Sequence, residues 1–135
     1  MKPTLKHPKP KKRPTKSIVR ELDVVVSQIV RRRDKKCVIC GSTQNPQAGH
    51  FIGRRHFAVR WDLTNVHQQC SGCNIGHNSN PIPYTLFIQQ KYGEKYPETL
   101  DALSREPSLK RNERLDLLAE MKLILDDLPA GGYDE

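Results

Sequence analysis

The sequence has little of what large or membrane-embedded proteins are built from. Aromatic residues make up 6% and hydrophobic residues 36% of its 135 residues, enough for one modest core that a bound metal would help to fasten. No apolar run reaches the roughly 18 residues that a transmembrane helix needs. Basic residues near the start are not followed by the hydrophobic stretch of a signal peptide, so we expect a soluble, intracellular protein.

Acidic residues are scarce in the first part of the chain. Residues 1–36 hold thirteen Lys and Arg and three acidic residues, a net charge of +10, whereas the remainder sums to −2. Because Lys and Arg clusters displace condensed counterions from phosphates, nucleic acid is the favoured partner and an anionic membrane surface the alternative. Four prolines among dense positive charge predict that residues 1–16 form a disordered basic arm.

Apolar residues recur at helical spacing in three segments. The face of the first segment, residues 17–33, consists of Ile18, Leu22, Val25 and Ile29. The valine run at 24–26 also suits a strand. A short helix is predicted after Pro83, ending at Gly93, and a longer one before Pro129. The last helix either covers the protein's own core or forms a dimer interface.

Alternating residues between the cysteines predict a β-hairpin. Its first strand ends in His50-Phe51-Ile52, and Gly53 provides the turn. The inward-facing residues of the second strand are Phe57, Val59 and Trp61.

All four cysteines fall into two Cys-x-x-Cys pairs, Cys37/Cys40 and Cys70/Cys73, separated by 29 residues. Two intervening residues let both thiolates of a pair bind one cation, and two such pairs complete a tetrahedral set of four sulfurs. We therefore predict a structural Zn²⁺ site. Disulfides and a redox-active Cys-x-x-Cys are the alternatives, but no secretory signal supports the first and no thioredoxin-like βαβ unit supports the second.

Histidine and asparagine gather between and beside the cysteine pairs. The residues concerned are His50, Asn65, His67 and Asn74. A hydrolase that cuts phosphodiesters needs a base to activate water and a divalent cation to neutralise developing charge, and imidazole and amide oxygen suit these two roles. Structural roles are the alternative: a hydrogen-bonded histidine, a turn asparagine, or a helix cap.

The pattern resembles a known superfamily. Gly49-His50, then Asn65 five residues before the second cysteine pair, then Asn74 directly after that pair is similar to HNH nucleases whose third histidine is replaced by asparagine. The Cys-x-x-Cys-Asn ending is similar to Holliday-junction resolvases of the phage endonuclease VII type. A longer set of motifs resembles the lambda NinG (Rap) recombination endonuclease family. These motifs are Ala48-Gly49-His50-Phe51, Arg60-Trp61, Asn65-Val66-His67-Gln68-Gln69-Cys70, Cys73-Asn74 and Pro83-Tyr84.

This resemblance implies roles for individual residues. His50 would be the general base, Asn74 would bind a catalytic Mg²⁺ or Mn²⁺, and Asn65 would orient His50 or brace the loop. Many HNH enzymes carry a metal-binding Asp directly before the base, where this chain has Gly49. Mg²⁺ keeps several waters, so a thin protein shell is acceptable. The candidates for a further ligand are His67, His56 and Asp62.

Arginines supply the expected DNA contacts. Three of them end the first helix, two lie at the predicted hairpin turn and one lies on the second strand, and all suit phosphate contacts rather than base readout. Solvated surface charge is the alternative for the pair at the turn. The six residues are Arg31, Arg32, Arg33, Arg54, Arg55 and Arg60.

We expect an α+β protein in four parts. These are the disordered basic arm (1–16), a basic helix (17–36), a zinc-clamped, treble-clef-related ββα-metal nuclease core (37–93) and a C-terminal helical extension (94–135).

The predicted function is metal-dependent endonuclease cleavage of branched recombination intermediates, such as Holliday junctions and D-loops, in the cytoplasm of a bacterial or phage-infected cell. The resemblance alone implies the branched substrate and recombination proteins as partners, and cutting two strands would favour a homodimer. The alternatives are a non-catalytic zinc-knuckle DNA-binding adaptor and a sequence-specific HNH endonuclease of the restriction or homing type.

Overall fold

A computed structural model describes residues 13–130 of the chain. Over this range the protein is a mixed α+β structure with a small antiparallel two-stranded sheet. The elements are α1 (Thr15–Asp34), β1 (Pro46–His50), β2 (Val66–Cys70), α2 (Ser71–Gly76), α3 (Ile82–Tyr92), α4 (Tyr96–Ser104) and α5 (Arg111–Asp127). None of these helices has both the length and the apolar character that a membrane crossing requires.

The first predicted helix is confirmed as α1, and its periodicity explains the valine run. Val25 and Val26 are buried on the core face, whereas Val24 is about half exposed on the opposite side. The helix ends at Lys35, whose backbone adopts the left-handed conformation and whose N–H donates to the carbonyl of Arg31. Most of the predicted disordered arm lies outside the described residues. Its last two residues are already helical, because α1 begins at Thr15.

The main core lies between α1, α5 and one face of the hairpin. Leu118 and Met121 of α5 pack with the buried face of α1, and Trp61 and Val66 join them from the chain around β2. The predicted C-terminal helix is thereby confirmed, and it covers the protein's own core, the first of the two roles considered for it.

The predicted second strand and the predicted tight turn at Gly53 are wrong, because β1 ends at His50 and residues 51–65 connect it to its partner strand. β1 pairs with Val66–Cys70, in the register Pro46 to Cys70 through His50 to Val66, and not with residues 57–61. Residues 53–64 instead form successive tight turns in which backbone N–H groups bond to the carbonyl three residues earlier. Turns of this kind bring Phe57 and Trp61 together, with ring centroids 5.9 Å apart, so the alternating pattern reflects packing between turns rather than a strand.

The other face of the hairpin is covered by a second, smaller cluster. Tyr84 and Ile88 of α3 and Leu100 of α4 are buried there, and Phe51 and Ile52 pack against them. The short predicted helix that ends at Gly93 is confirmed as α3. The hairpin thus lies between two apolar clusters, and its end, where β1 gives way to the loop, carries His50.

Candidate functional site

The four cysteines meet at one point between the end of α1 and the start of α2. Their sulfur atoms all lie within 4.8 Å of one another. The backbone N–H of Cys40 donates to the sulfur of Cys37, and that of Cys73 to the sulfur of Cys70, each at 3.5 Å. The two pairs therefore share this N–H-to-sulfur contact, and the cluster is positioned to bind one metal ion.

Backbone contacts build the first of these turns. Val38 donates its N–H to the carbonyl of Gln68 on β2 at 2.9 Å, which ties the turn to the hairpin. Gly41 closes it with a φ of +78°, a conformation that side-chain-bearing residues rarely adopt. Burial opposes the thiolate of Cys37, but the N–H groups directed at its sulfur outweigh burial and lower its pKa to about 7. These N–H groups therefore favour the thiolate of Cys37, the form of cysteine that binds metals.

His50 is held in one orientation at the end of β1. Its Nε2 lies 2.9 Å from the main-chain carbonyl oxygen of Arg60. A carbonyl only accepts hydrogen bonds, so Nε2 carries the proton and Nδ1 keeps a lone pair. Among residues 13–130, Nδ1 has no hydrogen-bond partner. Burial lowers the pKa of His50 below its usual 6.5, which favours the neutral imidazole.

A cleft of about 360 Å³ opens beside this imidazole. Its walls come from α1, β1 and the loop between the strands, and they carry basic groups. The polar residues that line it include Asp23, Arg31, Gln47, His50, Arg54 and Arg60.

Asp23 of α1 fixes the loop that carries the Arg60 carbonyl. Its carboxylate accepts bonds from Nε and Nη2 of Arg60, at 2.9 and 2.6 Å, and from the indole N–H of Trp61 at 2.8 Å. Arg54 adds a longer contact of 3.3 Å. Burial raises the pKa of Asp23, but the bonds from Arg60 and Trp61 outweigh it and hold the pKa below its usual value. Sequence reasoning missed Asp23, because nothing local pairs it with a residue 37 positions away.

Asn65 lies inside the loop, fully buried. Its side-chain oxygen accepts the N–H of Ile52 at 2.8 Å, and its amide nitrogen donates to the carbonyls of Ile52 and Val59 at 3.0 and 3.1 Å. Of the two roles considered for it, the contacts are those of a brace for the loop.

Both ring nitrogens of His67 already have hydrogen-bond partners. It is fully buried, with Nδ1 3.0 Å from the hydroxyl of Tyr84 and Nε2 2.8 Å from that of Tyr92. Burial, assisted by the positive charge of Arg33, lowers the pKa of His67 to about 3. The other two candidate ligands also have hydrogen-bond partners. The hydroxyl of Thr64 donates to the carboxylate of Asp62, and the Nε of Arg55 donates to Nε2 of His56.

The six arginines predicted to contact DNA separate into groups. Arg31, Arg54 and Arg60 line the cleft beside His50. Arg33 is directed inward, donating to the carbonyls of Leu63 and Val66 and to the carboxylate of Asp34. Arg32 contacts the carbonyl of Leu125 on α5, and the Nε of Arg55 donates to His56.

Asn74 lies on the opposite face of β1 from His50. Its Nδ2 donates to Oε1 of Gln47 at 2.9 Å. Its Oδ1 lies 3.0 Å from the position that a Cβ at Gly49 would occupy. Successive residues of a strand point to opposite faces, so Gly49 faces α2 whereas His50 faces the cleft beside α1. Gln47 is also among the residues that line that cleft.

Comparisons with known proteins identify one family and several relatives that match most of the chain. The family model described as NinG, Bacteriophage Lambda NinG protein, matches residues 2–129. "Protein ninG" of Salmonella phage P22 is 27% identical over 115 residues, which is 82% of this chain and 57% of that protein. "Protein ninG" of Escherichia phage lambda is 26% identical over 115 residues, 82% of this chain and 56% of that protein.

A third relative matches over a shorter range. "Protein ninG" of Escherichia phage 933W is 28% identical over 89 residues, 62% of this chain and 44% of that protein. The chain thus spans about half the length of the curated relatives it matches. No solved structure matches it. The match over residues 2–129, which includes the cysteine cluster and the cleft beside His50, shows that the chain belongs to the bacteriophage lambda NinG family.

Proposed function

We propose that this protein is a metal-dependent DNA endonuclease of the HNH, ββα-metal type that hydrolyses phosphodiester bonds in branched recombination intermediates. The observation that carries the proposal is the state of His50. Its Nε2 is bonded to a carbonyl, its Nδ1 keeps a lone pair, and it lines a cleft with three arginines. A neutral imidazole fixed beside basic side chains suits a general base that acts on water next to a phosphate.

The reaction follows from these groups. Nδ1 of His50 takes a proton from water, and the resulting hydroxide attacks phosphorus in line with the leaving 3′-oxygen. Arg31 and Arg54 draw the phosphate into the cleft, while Asp23 holds Arg60 and thereby the carbonyl that orients the imidazole. When bound, Mg²⁺ or Mn²⁺ would neutralise charge that develops on the phosphate and the leaving oxygen.

The side chains fit the two kinds of metal that the proposal requires. Four clustered thiols are the donor set of a structural Zn²⁺ site, which would fasten α2 and the end of α1 to the hairpin. The oxygen of Asn74 is a hard donor that suits Mg²⁺ or Mn²⁺, and the bond from its Nδ2 to Gln47 directs that oxygen toward Gly49.

The choice of substrate rests on resemblance and on charge. Cleft arginines suit sequence-independent phosphate contacts, and the Cys-x-x-Cys-Asn ending resembles the junction resolvases. Paired cuts across a junction need two active sites, which a homodimer would provide. Recombination proteins of the infected bacterial cytoplasm are the proposed partners.

The proposal is tested with the zinc-loaded chain on a labelled four-way junction and a linear duplex of matched sequence. Mg²⁺ or Mn²⁺ is added or left out, without a chelator, so that the cysteine site stays loaded. We expect cleavage of the junction that depends on the added cation and is weaker on the duplex. Discrete fragments from the linear duplex would instead indicate a restriction or homing type of enzyme.

A non-catalytic DNA-binding adaptor is the second candidate. The observation that favours it is the absence of a carboxylate at Gly49, together with the position of Asn74 on the opposite face of β1 from His50. This candidate expects tight junction binding and no cleavage with any divalent cation.

A further inference from the structure

We infer that the side-chain oxygen of Gln69 is the second protein ligand of the divalent cation. It would complete, with Asn74, a site in which two neutral amides replace the carboxylate that is missing at Gly49. The catalytic use of this cation rests on the proposed function, but its binding does not.

Gln69 is an unusual residue for the middle of a small protein. It is 1% exposed on β2, and its Oε1 is buried without a hydrogen-bond partner among the described residues. Buried carbonyl oxygens nearly always have a donor, because losing water without a replacement is unfavourable. The Oε1 of Gln69 therefore needs either a donor or a cation.

Gly49 creates the space into which this oxygen points. A Cβ at position 49 would lie 1.8 Å from Oε1 of Gln69 and 3.0 Å from Oδ1 of Asn74. The two oxygens thus converge on one point beside the strand, from β2 and from α2. Any residue other than glycine at position 49 would displace the end of the Gln69 side chain.

The donor set decides which ligand fits. Two amide oxygens are hard donors that suit Mg²⁺ or Mn²⁺ and leave most of the coordination shell to water. A cavity of about 180 Å³ adjoins Gln69, and no carboxylate lines it. His77 also lines this cavity. Its Nε2 donates to the carbonyl of Phe51, and its buried Nδ1 is a second acceptor without a partner in the described chain. Water molecules carried by a cation would bring donors to this nitrogen.

The test measures Mn²⁺ binding to the zinc-loaded chain by electron paramagnetic resonance of free Mn²⁺, without DNA. Wild type should bind one Mn²⁺ weakly, because both ligands are neutral. Gln69→Ala should weaken binding by about tenfold or more. Gln69→Glu places a carboxylate at the same point and should bind Mn²⁺ more tightly than wild type. Gln68→Ala removes a buried amide from the neighbouring position of β2 and should bind like wild type.

A rescue variant distinguishes loss of the cation ligand from misfolding of Gln69→Ala. Gly49→Asp combined with Gln69→Ala removes the atom that a Cβ at position 49 would meet and supplies a carboxylate near Asn74. This double variant should recover Mn²⁺ binding at least to the wild-type level. Thermal unfolding of each zinc-loaded variant verifies that it is folded.

The outcomes separate this inference from the proposed nuclease. If wild type binds no Mn²⁺, or if Gln69→Ala and Gln69→Glu both bind as wild type does, the inference is overturned whatever the cleavage assay gives. If Mn²⁺ binding depends on Gln69 while no DNA substrate is cut, the cation site stands and the nuclease does not.

Discussion

The Nε2 of His50 and the main-chain carbonyl oxygen of Arg60 lie 2.9 Å apart, and this contact determines which nitrogen of the imidazole can act as a base. The side chain of the same arginine is held by Asp23 on α1. One residue of the loop therefore connects the position of α1 to the protonation state of the proposed catalytic histidine.

The pH dependence of cleavage should reflect the buried environment of His50. Its pKa is lowered from 6.5, so the imidazole keeps its lone pair to a lower pH than a free histidine does. As the pH falls, single-turnover cleavage should decline to half its maximum only at a pH below 6.5, where the ring becomes protonated. A rate that is already halved at a pH above 6.5 would contradict this assignment.

Replacing Asp23 should loosen the loop. Asp23→Asn leaves Arg60, whose side chain is only 12% exposed, without its counter-charge. Thermal or urea unfolding should show that the free energy of unfolding falls by about 1.5–3 kcal/mol, the usual contribution of hydrogen bonds to charged groups, and cleavage should fall as well. Arg54→Ala is the matched control for the unfolding measurement only, since this more exposed partner of Asp23 should contribute less than about 1 kcal/mol. Equal losses of unfolding free energy in the two variants would show that the contact of Asp23 with Arg60 stabilises the protein no more than its contact with Arg54 does.

Loss of the cysteine cluster should unfold the centre of the protein. Structural zinc sites contribute roughly 10–16 kcal/mol of apparent binding free energy, comparable to or larger than the stability of a typical domain. Wild type should release one Zn²⁺ per chain in a colorimetric assay. Cys70→Ser should contain none and lose its cooperative thermal transition, whereas Ser71→Ala should keep both. A Cys70→Ser protein that unfolds like wild type would show that a metal at the cysteine cluster does not stabilise the fold.

Asn65 should matter for stability more than for chemistry. Asn65→Ala leaves the N–H and the carbonyl of Ile52 without partners, and it removes one of the two donors to the carbonyl of Val59, which keeps the N–H of Asp62. The loss should be about 3 kcal/mol of the free energy of unfolding, because each buried unsatisfied group costs roughly 1–3 kcal/mol. Asn65→Asp keeps the acceptor and loses the donors, so it should fall between Asn65→Ala and wild type in urea unfolding. Asn78→Ala, at an exposed asparagine, should change little. A stable Asn65→Ala protein with no activity would instead favour a catalytic role.

Local periodicity was sufficient to predict α1, α3 and α5, whereas α2 and α4 carry no such pattern in the prediction. The apolar faces of α1 and α5 repeat at helical spacing because each helix buries one side against the other. The clustering of the cysteines could likewise be predicted from their spacing, since two Cys-x-x-Cys pairs imply a common centre.

The strand pairing could not be predicted in the same way. β2 carries His67, Gln68 and Gln69, whose burial has no apolar pattern to reveal it. His67 is buried because the hydroxyls of Tyr84 and Tyr92 meet its ring nitrogens from α3, far along the chain. The role of Gln69 was hidden for a similar reason, because only the paired strands show that its oxygen lies over Gly49.

The central claim is that His50 is the base of a DNA endonuclease. The most direct test compares the zinc-loaded wild type with His50→Ala in single-turnover cleavage of a labelled four-way junction in Mn²⁺, with junction affinity measured for both. The account predicts equal binding and a loss of cleavage in the variant. Cleavage by His50→Ala at the wild-type rate, or binding without cleavage by both proteins, would contradict it.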